Sequence, residues 1–252
     1  RGVIRVGNAG LQPSKSDSYL AGVVYSPKPI KGLSIGMNYY RIEQTNIPFT
    51  SDQYIVNQWW AAGGPGNATN PFGPAAGRSA QNPLAAQVEL NVDGSLNQVR
   101  NSGPINSGKR MTDGCDFFAN HRMVSEVGDI ELEGSWTQVR TFEQENFPGA
   151  GLITYLGYYW PSGSALGNYG FPEWKGSLSA SWKKSRYSAS VGYNYVDGYL
   201  EQGNANKAIP SYATVDVRLG YRIPWLEAQL MVGANNVSDK QVPFIATSFE
   251  NQ

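Results

Sequence analysis

The 252-residue chain has little of what most functional classes require. It holds one cysteine and one histidine, so it can build neither a disulfide framework nor a Cys/His metal cluster. Charged residues make up only 16% of it, well below the roughly 25% of an ordinary soluble domain. Its 20 basic and 20 acidic side chains cancel, leaving no basic excess to grip nucleic acid. No run of roughly 18 apolar residues occurs, so no transmembrane helix is expected. The opening Arg1-Gly2-Val3-Ile4 carries neither an initiator methionine nor a secretion-signal pattern. Glycine (29), tyrosine (15) and aromatic residues in general (12%) are abundant instead. A chain poor in charge and rich in Gly, Tyr, Ser and Asn reads as all-β.

Period-two alternation supports this along most of the chain. Ala213, Val215, Val217, Leu219, Tyr221 and Ile223 alternate with Thr214, Asp216, Arg218, Gly220 and Arg222, one apolar and one polar face of a strand. Leu226, Ala228, Leu230, Val232 and Ala234 repeat the pattern against Glu227, Gln229, Met231 and Gly233. Further apolar rows are Trp174 to Trp182, Tyr187 to Tyr195, Ile130 to Trp136, Tyr19 to Tyr25 and Leu33 to Tyr39. Eight strands are expected, at about 17–27, 31–42, 109–123, 128–142, 172–183, 186–198, 211–223 and 226–236. Residues 1–6 read as the tail of a preceding strand.

Three features favour a membrane barrel over a soluble sandwich. Several strands run to about 10–13 residues, against the usual 5–6 and near the 9–11 that cross a bilayer at a tilt. Aromatics sit at the ends of the apolar rows, as Trp174 and Trp182 or Tyr187 and Tyr195 do, the placement of an outer-membrane girdle. Connections alternate in length. They are short near 26–33, 124–129, 183–186 and 222–226, and long at 43–109, 143–171, 200–209 and from 237. The expected fold is therefore an antiparallel transmembrane β-barrel fragment of about eight or nine strands, with short periplasmic turns and long extracellular loops. Open strand edges are not tolerated in hydrocarbon, so the chain reads as a piece of a larger barrel.

Particular motifs sharpen this. Leu11-Gln12-Pro13-Ser14-Lys15-Ser16-Asp17-Ser18-Tyr19, followed by Gly22-Val23-Val24-Tyr25-Ser26-Pro27, resembles a strand of the TonB-dependent outer-membrane receptor/transporter family. Asn38-Tyr39-Tyr40-Arg41-Ile42 with Ile47, Gly114-Cys115-Asp116, and Gly233-Ala234-Asn235-Asn236-Val237-Ser238-Asp239-Lys240 are similar to later segments of that family, in its order. Ser14 stands where the family has Glu, Ser238 where it has an aromatic, and its final strand is absent. The resemblance implies a 22-stranded barrel filled by an N-terminal plug, of which residues 1–252 form a C-terminal portion. The plug and the TonB-contacting box would precede Arg1. It also implies a Gram-negative outer membrane, and as partners the rest of the barrel, its plug, the TonB complex, membrane lipid and a small-molecule ligand. No nucleic acid and no cofactor are implied.

Enzyme signatures are missing. His121 and Cys115 form no triad signature, and Gly108-Lys109-Arg110 lacks the frame of a phosphate loop. Cys115 alternates with Phe117 and Ala119 on an apolar row, where it acts as a small hydrophobe. His121 follows on that row as an interfacial residue. No metal site and no catalytic residue are expected.

Two groups of residues are candidates for function. Glu131, Glu133, Lys175, Asp216, Arg218, Arg222 and Glu227 face the lumen if the apolar rows face lipid, either packing against a plug or lining the substrate path. The 43–109 loop places Tyr54, Trp59, Trp60 and Phe72 among Gly, Pro, Asn and Ala, and the 143–171 loop places Tyr155, Tyr158, Tyr159 and Trp160 similarly. Loops this long are functional or disordered. Trp59, Trp60, Tyr158, Tyr159 and Trp160 are the expected ligand-binding set for an oligosaccharide or a siderophore-like molecule, unless they only fold the loops over the barrel mouth. The function expected is binding and uptake of a scarce nutrient. The rivals are a passive diffusion porin and a soluble or surface β-module that binds carbohydrate.

Overall fold

Each alternating segment becomes a strand in the structure, a computed structural model that describes residues 2–50, 52, 54–56, 88–91, 96–145, 151–160, 169–201 and 207–243. In chain order the strands are β1 (Gly2–Arg5), β2 (Lys15–Tyr25), β3 (Leu33–Phe49), β4 (Val88–Leu90), β5 (Leu96–Ser102) and β6 (Ile105–Ser125). Then come β7 (Gly128–Glu145), β8 (Ile153–Thr154), β9 (Tyr158–Trp160), β10 (Tyr169–Gly170) and β11 (Trp174–Lys184). The last are β12 (Tyr187–Val196), β13 (Tyr199–Glu201), β14 (Ala208–Ile209), β15 (Tyr212–Ile223) and β16 (Ala228–Ala234). All eight expected strands are present. They form one sheet in the order β16-β15-β12-β11-β7-β6-β3-β2, with β8 added on β7.

The contacts divide the chain into two units. The first comprises residues 1–16, 44–110 and 144–152; the second comprises 17–43, 111–143 and 153–252. In the second, the register puts the apolar rows on a common face. Leu132 opposes Ala180, Ala180 opposes Val191, Val191 opposes Val217, and Leu219 opposes Val232. The serines and charges share the other face: Glu133 opposes Ser179, which opposes Gly192, which opposes Asp216.

Nothing described in this chain covers the apolar face. Leu178 is 47% exposed, Leu219 60% and Val232 65%, whereas the buried hydrophobics (Ile55, Val88, Val99, Tyr155, Tyr159, Ile209) all lie outside these eight strands. A row of uncovered valines and leucines on this scale needs an apolar surrounding, which the hydrocarbon of a bilayer supplies. Its two borders are aromatic. Trp136 meets Tyr195 at 5.5 Å near one end, and Tyr187 meets Tyr221 at 5.2 Å near the other. Tyr187 and Tyr195 lie eight positions apart on β12, about 26 Å along a strand. Tilted, that spans most of an apolar band about 25 Å tall.

The tight turns cluster at one end, as the alternating lengths require. Arg122 N–H donates to Gly32 O (2.9 Å), Trp182 Nε1 donates to Val127 O (2.9 Å), and Arg222 N–H donates to Arg186 O (2.8 Å). Gly128 is obligatory there. Its φ is +123°, and a Cβ would lie 2.7 Å from Trp182 Nε1 and 2.8 Å from Lys183 O, a conformation and a fit that only glycine provides.

Two expectations are corrected. Residues 1–6 do not feed the meander, because β1 pairs in parallel with β5, Val3 opposite Val99, and β4 completes this three-stranded sheet. Buried Val88 and Val99 hold that sheet together in the first unit. The long connections are also shorter than expected at their strand ends. β3 runs to Phe49, β6 starts at Ile105 and β7 ends at Glu145. Both faces of a strand are wet beyond the bilayer, so no alternation marks these extensions.

Candidate functional site

At the long-connection end of β7, β11 and β12, the second unit builds a small sheet in the order β10-β9-β13-β14. Aromatics hold it. Phe142, near the end of β7, stacks on Phe171 at 4.7 Å, and Tyr155 meets both rings edge-on. Tyr155 is 1% exposed, and its N–H donates to Phe142 O at 2.9 Å. Tyr159 is buried, with the Tyr199 ring stacked on it at 6.3 Å. Tyr199 also lies over Gly170, where a Cβ would sit 2.6 Å from the ring. Burial, followed by the neighbouring Tyr159, pushes the Tyr199 phenol above its ordinary value.

The expected ligand set is therefore distributed unevenly. Tyr158 and Tyr159 sit side by side in β9, opposite Leu200 and Glu201 of β13, with Tyr158 half-buried. Trp160 pairs through its backbone with Tyr169, and its side chain lies outside the described residues. Trp59, Trp60 and Phe72 also lie outside them. Tyr199, which covers Tyr159, escaped the sequence reading. Its signal was the Asp197-Gly198 turn that returns the chain to β9.

The charged row is clearer. Glu131 and Glu133 oppose Ser181 and Ser179, and Lys175 opposes Thr137 and Val196. Arg218 opposes Ser190 and Gly233. Asp216 accepts the Asn236 N–H at 2.8 Å and an Asn194 Nδ2–H at 3.3 Å, fastening the turn that follows β16. With Arg222, which opposes Gln229 on the same side, six of the seven charged positions thus share one strand face. Glu227 does not: it lies in the left-handed position (φ 49°) that ends the Pro224–Leu226 turn, ahead of β16. Proline at the start of that turn and the tight reversal override the alternation that placed Glu227 on a strand.

Other contacts had no sequence signal of their own. On β3 and β6, the Phe118 ring fills the space over Gly36 and the Tyr40 ring fills the space over Gly114, an interlock of ring on glycine in both directions. Beyond the aromatic border, Tyr39 OH lies 3.4 Å from Asp113 Oδ2, and Arg140 lies 4.0 Å from the same carboxylate. Arg41 pairs with Glu43 and lies 3.5 Å from Met111 Sδ. His121 lines a groove of about 450 Å³ with Leu132, Leu178, Val191 and Tyr193, its Nδ1 buried without a hydrogen-bond partner. Cys115 is free and half-buried.

Long antiparallel strands, an uncovered apolar face bordered by aromatics and a polar opposite face define the wall of an outer-membrane β-barrel. The family of TonB-dependent receptor-like β-barrels matches residues 1–237, and the chain belongs to it. These are outer-membrane receptors and transporters of Gram-negative bacteria. No curated protein matches the chain in sequence.

Similar solved structures agree in fold. A mutant of the ferric enterobactin receptor PfeA of Pseudomonas aeruginosa is 14% identical with a TM-score of 0.56, over 92% of this chain and 27% of that one. The FrpB iron transporter of Neisseria meningitidis is 10% identical with a TM-score of 0.57, over 95% and 29%. The siderophore receptor PirA of Acinetobacter baumannii is 12% identical with a TM-score of 0.52, over 93% and 29%. The chain thus spans under a third of the length of each.

Proposed function

We propose that the chain forms the C-terminal portion of the barrel of a TonB-dependent active transporter, whose long loops bind a scarce nutrient for import. The remainder of the barrel, a plug domain and the TonB complex are its partners in this reading. The protein binds and transports, catalyses nothing and needs no cofactor. The observation that carries the reading is the uncovered, aromatic-bordered apolar face in a chain of this family.

The ligand is a ring-bearing small molecule, an oligosaccharide or a siderophore-like compound. Trp59, Trp60, Tyr158 and Trp160 are its proposed stacking partners, with Tyr159 as the buried base of the small sheet. Glu131, Glu133, Lys175, Asp216 and Arg218 face the lumen and meet the plug through hydrogen bonds that can be exchanged during transport.

Uptake of labelled ferric siderophore and of labelled oligosaccharide by cells carrying the full-length parent tests this. Import of one of them should stop when the TonB complex is deleted, whereas import through a diffusion porin would continue. Trp59→Ala and Trp60→Ala should each weaken binding of the imported ligand by about 1 kcal/mol, the value of an aromatic pair. Unchanged affinity in both variants would reduce these rings to loop packing.

A further inference from the structure

The tight-turn end of β11, β12, β15 and β16 combines a groove with a concentration of positive charge. The groove measures about 550 Å³ and is lined by Trp182, Tyr187, Leu219, Tyr221, Leu230 and Val232, with backbone and small residues between them. All six share the apolar face by register: Trp182 opposes Ala189, Ala189 opposes Leu219, and Tyr187 opposes Tyr221, which opposes Leu230. Tyr187 is 57% exposed and Leu230 57%, so the groove opens away from the protein. Trp182 is fixed in its wall by the hydrogen bond from its Nε1 to Val127 O.

Lys184, exposed, lies on the same face as the groove, directly opposite its lining residue Tyr187. Arg186 occupies the adjoining two-residue turn, its carbonyl held by the Arg222 N–H. Lys183 and Arg222 lie one position away, on the polar face by register. Between positions 183–190 and 220–230 there are four cations and one anion, Glu227, and Asp129 of β7 stands directly opposite Lys183. Among the described residues no ion pair engages any of the four cations. The neighbouring β6–β7 turn differs, since its Arg122 faces Asp129 at 3.9 Å and Glu126 stands between them in sequence. Trp225 (79% exposed) and Leu226 (62%) add apolar surface at the β15–β16 turn, an arrangement suited to the headgroup boundary of a bilayer.

We propose that this site holds an anionic phospholipid, with an acyl chain in the groove and its phosphate against Lys184 and Arg186. The chemistry selects the occupant. The groove offers length and apolar contact, which any lipid satisfies, but Lys184 and Arg186 beside it, engaged in no ion pair among the described residues, favour a headgroup of net negative charge. Lys184 and Arg186 are the ligands, and Lys183 and Arg222 contribute field only. Each lysine or arginine near an anionic membrane surface strengthens attraction about fivefold. The site depends on the barrel lying in a bilayer and is independent of which nutrient is transported.

Native mass spectrometry of the full-length parent in detergent, titrated with phosphatidylglycerol and separately with phosphatidylethanolamine, tests it. The wild type should retain phosphatidylglycerol about fivefold or more over phosphatidylethanolamine. The K184Q/R186Q double variant should lose that preference, while Arg122→Gln at the neighbouring turn, where Arg122 already faces Asp129, should keep it. Leu219→Trp, which fills the groove, should reduce retention of both lipids. For the unaltered protein the preference should shrink as ionic strength rises, because about 1 M salt screens charges beyond roughly 3 Å. Equal retention of the two lipids by the wild type, or a preference that survives the double variant or high salt, overturns the proposal.

Discussion

In the eight long strands no large apolar side chain is buried and many are exposed, whereas the buried ones among the described residues lie outside these strands, most of them in or beside the small sheets. Leu219 is 60% exposed and Val232 65%, whereas Tyr155 is 1% exposed and Val99 3%. The residue types are similar, and the solvent is what differs. A strand facing hydrocarbon is held by backbone hydrogen bonds to its neighbours and needs no covering layer. A short strand standing in water must bury rings and valines against its own loop. The two kinds of strand follow opposite rules, and substitutions in them should respond in opposite ways.

The largest effect is expected in the loop sheet. Tyr155→Ala removes a fully buried ring that contacts both Phe142 and Phe171, and should cost that sheet about 3–5 kcal/mol. Protease should then cut within residues 151–173 while the barrel still resists detergent unfolding. A loop sheet as resistant as the wild type would mean that Tyr155 is dispensable.

Next comes the membrane face. Val191 lies midway between Tyr187 and Tyr195, and Val191→Arg should cost about 2–4 kcal/mol, the penalty for a cation near the bilayer midplane. The neighbouring Ser190→Arg, on the polar face beside Arg218, should cost far less. Equilibrium unfolding in lipid vesicles compares the two, and equal penalties would contradict the assignment of faces.

This part of the molecule was legible in the sequence because two solvents impose a period of two. From Tyr212 to Ile223 every second residue had to be apolar, and strand, face and aromatic border all followed. The loops carried no such constraint. Short β9 and β13 pair in parallel across more than 40 residues of chain, and no local pattern announces a three-residue strand. Nor does a glycine reveal that a ring from the next strand will cover it, as Phe118 covers Gly36. Gly36→Ala would put a methyl 2.3 Å from Phe118 Cζ and 2.8 Å from the Val23 carbonyl. Displacing the ring should cost about 1–3 kcal/mol, measured in the same vesicle unfolding experiment. Gly192→Ala should cost less, since its nearest neighbour, Asp216 Cβ, lies 3.9 Å away.

The smallest expected effect concerns alkaline pH and separates the two regions once more. The Tyr199 phenol is raised chiefly by burial and secondarily by Tyr159, because a buried site disfavours the charged phenolate. A group whose pKa is higher in the folded state contributes stability that is fully present below its unfolded value, near 10 for tyrosine, and is lost as pH rises from there through the folded value. The loop sheet should therefore hold constant stability through neutral pH and loosen above about pH 10. Tyr199→Phe keeps the ring stacked on Tyr159 and removes the ionisable hydroxyl, so it should flatten that alkaline loss. Proteolysis of the loop sheet at pH 8 and at pH 11, in wild type and variant, reads the difference. If the variant loosens as much as the wild type, the alkaline response belongs to other tyrosines and the stack of Tyr199 on Tyr159 does not control it.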